Sequence, residues 1–421
     1  MQQFLLLLCS LFLGLVCYYS VIRMHSNLRK PYVVLLAYRF LFFAIQSIFF
    51  YSIYKNQLDP YFYHQTLITL FDDFKYYPLD IIIFFKGDYV NMHIDQELKT
   101  YLATEIRVAF FIKVLSPFFA LSANNYYLLG AWLTFFGSLC LVHFLSLFKR
   151  TPNILIWLLV LIIPSFTFWT VGILKEAFVV PVLFLLIYFL DRIINSNGKD
   201  IVSLLLFIIL CWLCWYVKYY MVAIFLLAIT VYVINSKILY SFNTILFSIL
   251  IIATTIIALG YMHPALNWNV LPEVIYISNH LTCTKYVNAY ECIQFDLDMT
   301  WNSILLNYPK AMVYAFFSPF PWQIHNLTSF FASLENYVFI LLLMFVIYRW
   351  VTKKIFFSNA ELVGLFIILL LGGLLIMASP NIGSFSRYRI FYLPIYAYII
   401  FKHSSINYNA AFLRFKNWIE K

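Results

Sequence analysis

The residues best suited to chemistry are charged side chains at the ends of long apolar segments. Lys175 and Glu176 open one such segment, Lys218 lies in an aromatic stretch, and Arg387 and Arg389 are two residues apart. Guanidinium groups bind phosphate through paired hydrogen bonds, and in extended backbone the two arginines would point the same way. We therefore predict that the four cations bind an anion. Internal ion pairing and snorkelling lysines are the alternatives.

Two carboxylates and one imidazole in these regions are suited to proton transfer. Glu176 directly follows Lys175, and Asp59 and His64 come soon after the second apolar segment. A carboxylate or imidazole beside a hydroxyl group can accept its proton or return it. We predict catalytic roles for Glu176, Asp59 and His64; the alternative for the last two is an ordinary solvated loop.

Two of the seven cysteines lie in a polar stretch. Cys283 and Cys292 enclose Thr-Lys-Tyr-Val-Asn-Ala-Tyr-Glu, whereas the other five lie in apolar segments. An oxidising compartment would favour a Cys283–Cys292 disulfide, which would constrain the unfolded chain by about 2.5–3 kcal/mol. Two free thiols are the alternative. Cys211 and Cys214 form a C-x-x-C pattern inside an apolar segment, where we interpret them as packing residues.

Several common classes of site lack their sequence pattern. The histidines have no metal-ligand spacing, and neither a phosphate-binding glycine loop nor H-E-x-x-H is present. The net charge of +10 does not cluster on a soluble face, so it gives no support to nucleic-acid binding. We expect no metal, no cofactor and no nucleic-acid partner.

The elements that must position these residues are membrane helices. Hydrophobic residues make up 64% of the 421-residue chain and charged residues 11%, which is far from the composition of a soluble domain. The apolar runs are long enough to cross about 30 Å of hydrocarbon. We predict an all-α polytopic membrane protein, 1–421 being a single integral membrane domain. It would have about eleven spans, at 3–21, 32–54, 126–148, 153–170, 176–191, 201–217, 219–236, 240–260, 333–350, 359–379 and 388–403.

The distribution of Lys and Arg predicts the orientation of these spans. Short loops and the basic tail at 404–421 share one face, which the positive-inside rule assigns to the cytoplasm. The N-terminus is then outside, and the first helix is a retained anchor. Two long outer loops follow, 55–125 and 261–332, and we interpret 105–122 as an interfacial or re-entrant helix. The predicted site residues all belong to the outer face.

Four short motifs carry a resemblance to a known group of enzymes. They are D-x-x-x-Y-H at Asp59–His64, W-x-x-G-x-L-K-E at Trp169–Glu176, S-P-F-P-W at Ser318–Trp322 and S-R-Y-R at Ser386–Arg389. In this order they resemble bacterial O-antigen (repeat-unit) polymerases and related GT-C-like membrane glycosyltransferases. The chain departs from typical GT-C enzymes in having no large C-terminal soluble domain, which favours the polymerase.

The resemblance implies glycosyl transfer from an undecaprenyl-linked oligosaccharide at the periplasmic face of the bacterial inner membrane, without metal or nucleotide. Lys175, Lys218, Arg387 and Arg389 would stabilise the pyrophosphate leaving group, and the aromatic loop 261–332 would stack sugar rings. The implied partners are the lipid bilayer and a chain-length regulator or other polysaccharide-assembly protein.

Three alternatives stay open at this point. A single-sugar transferase with a polyprenyl-phosphate donor would carry the same motifs. A lipid-linked oligosaccharide flippase would need no chemistry, although it would favour short loops on both faces and internal repeats. A non-catalytic assembly protein is the third alternative. For the enzyme, we predict that Arg387, Arg389, Lys175 and Glu176 converge on one cavity with Asp59 or His64 at its rim.

Overall fold

The described part of the chain is helical. The computed structural model describes residues 2–54, 59–237, 242–285, 292–324, 327–352, 354–404, 408 and 411–415. Within these ranges the backbone forms no strand, apart from an isolated bridge between Cys292 and Asn381. The helices are α1 Gln2–Arg23, α2 Ser26–Tyr54, α3 Asp59–Tyr76, α4 Asp80–Lys86, α5 Gln96–Thr104, α6 Ile106–Ala120, α7 Tyr126–Leu145, α8 Asn153–Leu161, α9 Pro164–Trp169, α10 Lys175–Asn195, α11 Ile201–Lys237, α12 Phe242–Met262, α13 Leu271–Lys285, α14 Trp301–Phe317, α15 Leu327–Val351, α16 Asn359–Ala378, α17 Ile382–Arg389 and α18 Leu393–His403.

Six stretches of the described helices are long and apolar enough to cross a membrane, which agrees with a multi-pass membrane protein. They are Gln3–Arg23, Ser26–Phe50, Tyr126–Phe148, Lys175–Asn195, Ile201–Thr230 and Ser329–Val351. The all-α class expected from the composition is therefore confirmed.

Two of the predicted spans have a different form in the structure. Segment 153–170 is divided into α8 and α9, because Pro164 has no N–H to continue the first helix and instead opens the second. The last span is divided in the same manner, with Pro394 in the first turn of α18. The predicted segments 201–217 and 219–236 are both helical within α11, and they meet at a kink where the backbone of Lys218 is not helical (φ −151°, ψ 76°).

The chain divides into two compact units by its internal packing. The first contains the described residues up to Tyr219 except Leu159–Leu161, together with 411–415. The second contains Leu159–Leu161 and the described part of Tyr220–Tyr408. In the first unit α7 packs against α2 and α10. The described residues 59–125 of the predicted outer loop are largely helical, since α6 packs against α3 and α5 and these helices bury Leu67, Leu102 and Phe111 completely.

In the second unit α16 packs against α13, α14 and α18. The approach of α14 depends on small residues, because a Cβ atom at Gly373 would lie 2.6 Å from the ring of Tyr308. The Cys283–Cys292 disulfide expected from the sequence is present, with the two Cα atoms 5.6 Å apart. The middle of the loop that it closes, 286–291, and the end of the basic tail, 416–421, lie outside the described residues.

Candidate functional site

The turn that precedes Lys175 is held by side chains from two other helices. Gly172 has φ +69°, a left-handed conformation that glycine adopts without steric cost. Its N–H donates to the Thr134 hydroxyl of α7 at 3.1 Å, and the Gln46 amide of α2 donates to the Phe168 carbonyl at 2.5 Å. The backbone of this turn is therefore fixed before α10 begins at Lys175.

Arg39 is a buried guanidinium that binds the same turn. Its side chain is 0% exposed and donates to the hydroxyls of Ser138 (3.1 Å) and Thr170 (3.0 Å) and to the Thr170 carbonyl (2.5 Å). A buried charge with polar partners costs far less than one without them. Arg39 thus ties α2 and α7 to the turn, although the sequence assigned it no role.

The two adjacent residues at the start of α10 have different environments. Glu176 is 0% exposed and its Oε1 accepts a hydrogen bond from the Lys218 ammonium, which the kink in α11 presents to it. Lys175 is half-buried and lies over the ring of Tyr63, 5.7 Å from its centroid. Successive residues point to different faces of a helix, which accounts for the different surroundings of these two side chains.

Lys175 is the centre of a charged cluster in the first unit. Lys218 and Arg107 repel its ammonium group electrostatically, whereas Asp59 and Glu176 attract it. Arg107 in turn lies over the ring of Tyr219 at 5.9 Å. We call these five charged residues, Asp59, Arg107, Lys175, Glu176 and Lys218, the Lys175 cluster. Its three cations exceed its two carboxylates, so the cluster is suited to an anionic ligand.

Asp59 and His64 differ in access although both belong to α3. Asp59 is the exposed first residue of the helix. Burial, and then the carboxylates of Glu105 and Asp59, raise the pKa of Tyr101. His64 is buried between Phe119 and Tyr126, and burial lowers its pKa. Because its Nε2 lies 3.1 Å from a backbone carbonyl, which only accepts, Nε2 carries the ring proton. This placement favours a packing role for His64.

The two arginines of S-R-Y-R occupy a helix, not extended backbone. Residues two apart on a helix diverge by about 200°, so the parallel pair described for extended backbone is not formed in α17. Arg387 is half-buried and Arg389 is only 6% exposed. The Nη1 of Arg389 donates to the Asn336 side chain, whereas its Nε and Nη2 find no hydrogen-bond acceptor among the described residues.

Asn336 joins two of the sequence motifs. It is 1% exposed on α15, where its Oδ1 accepts from Arg389 and its Nδ2 donates to the Ser318 carbonyl of S-P-F-P-W at 2.5 Å. Phe339, one turn further along α15, places its ring 6.0 Å from the guanidinium of Arg389. Asn336 is not among the residues predicted from the sequence, where its signal is a polar residue inside the apolar segment 333–350.

The disulfide segment holds the beginning of α17. The Asn381 side chain caps this helix by accepting from the Ser384 N–H at 3.0 Å. Asn381 also forms the backbone bridge with Cys292, and the Ile293 N–H donates to the Pro380 carbonyl at 3.1 Å. The disulfide therefore fixes the strand-like segment against which the arginine helix starts.

The structure gathers the predicted residues into two groups, one in each unit. Asp59, Lys175, Glu176 and Lys218 form most of the Lys175 cluster, and Arg387 and Arg389 share α17. A common cavity for both groups stays a prediction. Among the described residues, no three His, Cys, Asp or Glu side chains are grouped in a manner that could hold a metal ion. No family model, curated protein or solved structure matches the chain.

Proposed function

We propose that the protein transfers a saccharide from a polyprenyl-pyrophosphate carrier to another saccharide at the outer face of the membrane that it spans. This transfer extends a surface polysaccharide by repeat units. The observation that carries this proposal is Arg389. Its guanidinium group is buried, and two of its N–H-bearing nitrogens have no hydrogen-bond acceptor among the described residues. A buried cation with free donors is stabilised when an anion such as a phosphate oxygen fills them.

In the proposed reaction the acceptor hydroxyl bonds to the anomeric carbon while the bond from that carbon to the pyrophosphate oxygen breaks. Negative charge develops on the leaving pyrophosphate, where fixed cations lower the barrier. Arg389 and Arg387 are the fixed cations of this kind in the second unit, and Lys175 and Lys218 are those in the first. The carrier leaves as the polyprenyl pyrophosphate.

The hydroxyl proton goes to a carboxylate of the Lys175 cluster. Asp59 is exposed at the start of α3, whereas Glu176 is buried against Lys218. A proton acceptor must reach the reacting hydroxyl, so we assign the proton to Asp59. Glu176 then holds Lys218 in place and tunes the charge beside Lys175.

The proposal places the chain in a bacterial inner membrane with about eleven crossings, the N-terminus in the periplasm and the C-terminus in the cytoplasm. The support is the concentration of Lys and Arg in the short loops assigned to the cytoplasm. In this topology the disulfide lies in the periplasm, which is an oxidising compartment.

Mass analysis of lipid-linked glycans in a deletion strain tests the proposal. Loss of a polymerase leaves carriers and surface lipids with one repeat unit, present at the outer leaflet. A repeat unit that lacks its terminal sugar indicates a single-sugar transferase, and complete units confined to the inner leaflet indicate a flippase. Either of the last two results, or an unchanged glycan profile, overturns the proposal.

Complementation of the deletion strain tests the assigned site. Arg389→Lys keeps the charge but removes the planar fork, so we expect at least a tenfold fall in chain extension, and Arg389→Gln should abolish it. Arg192→Gln is the matched control, because Arg192 is half exposed and pairs with Asp200. Protein abundance is measured in the same membranes. Normal extension by Arg389→Gln at wild-type abundance would contradict the site assignment.

A further inference from the structure

A separate pocket lies in the first unit beside the amphipathic helix α6. It has a volume of about 370 Å³, within the range of small-molecule sites. The residues that give it chemical character are Asp88, Tyr89, Phe110, Lys113 and Tyr216. None of them belongs to the Lys175 cluster or to α17.

The walls of the pocket are aromatic. Phe110 and Tyr216 are stacked, with ring centroids 4.9 Å apart and planes at 26°, and Trp212 meets Phe110 edge-on at 5.5 Å. Tyr216 is 42% exposed, which leaves ring surface for a ligand. Aromatic rings provide large, flat apolar surfaces, and a tyrosine adds a hydroxyl at the edge.

Two opposite charges line the same pocket. The half-buried Lys113 ammonium lies 5.2 Å from the ring centroid of Tyr89 and donates to the Phe85 carbonyl at 3.3 Å. An ammonium group has three N–H donors, so two are left for a ligand in the described surroundings. The Asp88 carboxylate is exposed and accepts from the Asn91 amide at 2.7 Å.

This combination selects a particular ligand chemistry. A phosphate group would be attracted by Lys113 but repelled by Asp88. A neutral pyranose ring has hydroxyl groups that donate to a carboxylate and accept from an ammonium group, and its C–H face packs on an aromatic ring. We propose that this pocket binds a sugar ring of the acceptor saccharide.

The position of the pocket agrees with an acceptor subsite. Phe110 contacts Tyr216, and Arg107, one turn earlier on α6, contacts Tyr219. One helical turn is about 5.4 Å, so the pocket begins close to Arg107 of the Lys175 cluster. A saccharide held in the pocket extends along α6 toward the reacting groups. The acceptor role rests on the proposed function, whereas sugar binding itself does not.

Direct binding tests the inference on the full-length protein in lipid nanodiscs, because alkyl-glycoside detergents would compete. The probes are neutral methyl pyranosides and the corresponding disaccharides, measured by saturation-transfer NMR. We expect binding of at least one probe, weakened about tenfold by Tyr216→Leu and by Asp88→Asn. Lys86→Gln is the matched control, since Lys86 is exposed in the same segment and does not line the pocket; it should bind like wild type.

Two results would overturn the inference: no probe binds, or the pocket variants bind like wild type. The two proposals fail separately. If the deletion strain has a one-unit glycan profile but the protein binds none of the sugar probes, the proposed function is supported and the assignment of the pocket is wrong. If Tyr216→Leu loses sugar binding but the deletion strain has an unchanged glycan profile, the pocket binds sugars and the proposed function is wrong.

Discussion

The buried pair Glu176–Lys218 gives a quantitative test of the Lys175 cluster. Glu176 is 0% exposed and Lys218 5% exposed, so removal of either partner leaves the other charge inside the protein. Such a deletion typically costs about 3–5 kcal/mol of unfolding free energy. We therefore expect Glu176→Gln and Lys218→Met each to destabilise the protein by about 3 kcal/mol or more.

The double variant distinguishes pairing from other effects. When both charges are replaced by neutral residues of similar size, neither remains uncompensated, and the cost is commonly close to zero. Glu176→Gln combined with Lys218→Met should thus recover most of the loss, so that the coupling energy is about 5–6 kcal/mol in magnitude, close to the sum of the two single losses. The assay is equilibrium unfolding by SDS in mixed micelles, followed by tryptophan fluorescence.

An exposed ion pair in the same unit is the control. Asp72 and Lys75 lie 2.5 Å apart with side chains 51% and 62% exposed, and such surface pairs contribute about 0.2–1 kcal/mol. Single losses at Glu176 and Lys218 no larger than those at Asp72 and Lys75 would refute the buried-pair reasoning. An activity assay distinguishes a positioning role of Glu176 from a role as proton acceptor. If Glu176 only positions Lys218, Glu176→Gln retains partial activity, whereas the double variant is inactive because it lacks the Lys218 ammonium group.

Three further outcomes follow from contacts in the segment 72–95, the disulfide and the α9–α10 turn. Burial and the neighbouring Asp80 carboxylate raise the pKa of Asp73 to about 6, while His93 and Lys99 act in the opposite direction. The folded state therefore binds this proton more tightly than the unfolded chain does. The free energy of unfolding thus falls as the pH rises from about 4 to 6. Hydrogen exchange of 72–95 at matched intrinsic rates should increase over this range in wild type but not in Asp73→Asn. Cys283→Ser should increase the rate of hydrogen exchange at residues 382–389 of α17. Exchange in α7 should stay unchanged and serves as the internal reference. Gly172→Ala should lower the thermal midpoint, because a non-glycine residue at φ +69° costs about 1–2 kcal/mol; an unchanged midpoint would contradict this account of the turn.

The sequence by itself determined the features that depend on local composition. Long apolar runs predict helices wherever the backbone must satisfy its own hydrogen bonds, and α2, α7 and α10 follow those runs. Gly172 before Lys175–Glu176 predicts a turn followed by a new helix, which the structure contains. The polar stretch between Cys283 and Cys292 similarly indicates a disulfide, since nine residues of separation bring the two thiols within easy reach.

Only the tertiary structure decided which partner each buried polar group has. Glu176 meets Lys218 across 42 residues, Arg389 meets Asn336 across 53, and Arg39 binds a turn whose Thr170 is 131 residues away. Periodicity and composition are local signals, whereas the partner of a buried charge depends on which helices pack together. The conformation of S-R-Y-R was decided in the same manner: the Asn381 cap, held through Cys292, favours the helix over the extended backbone that would have paired the two arginines.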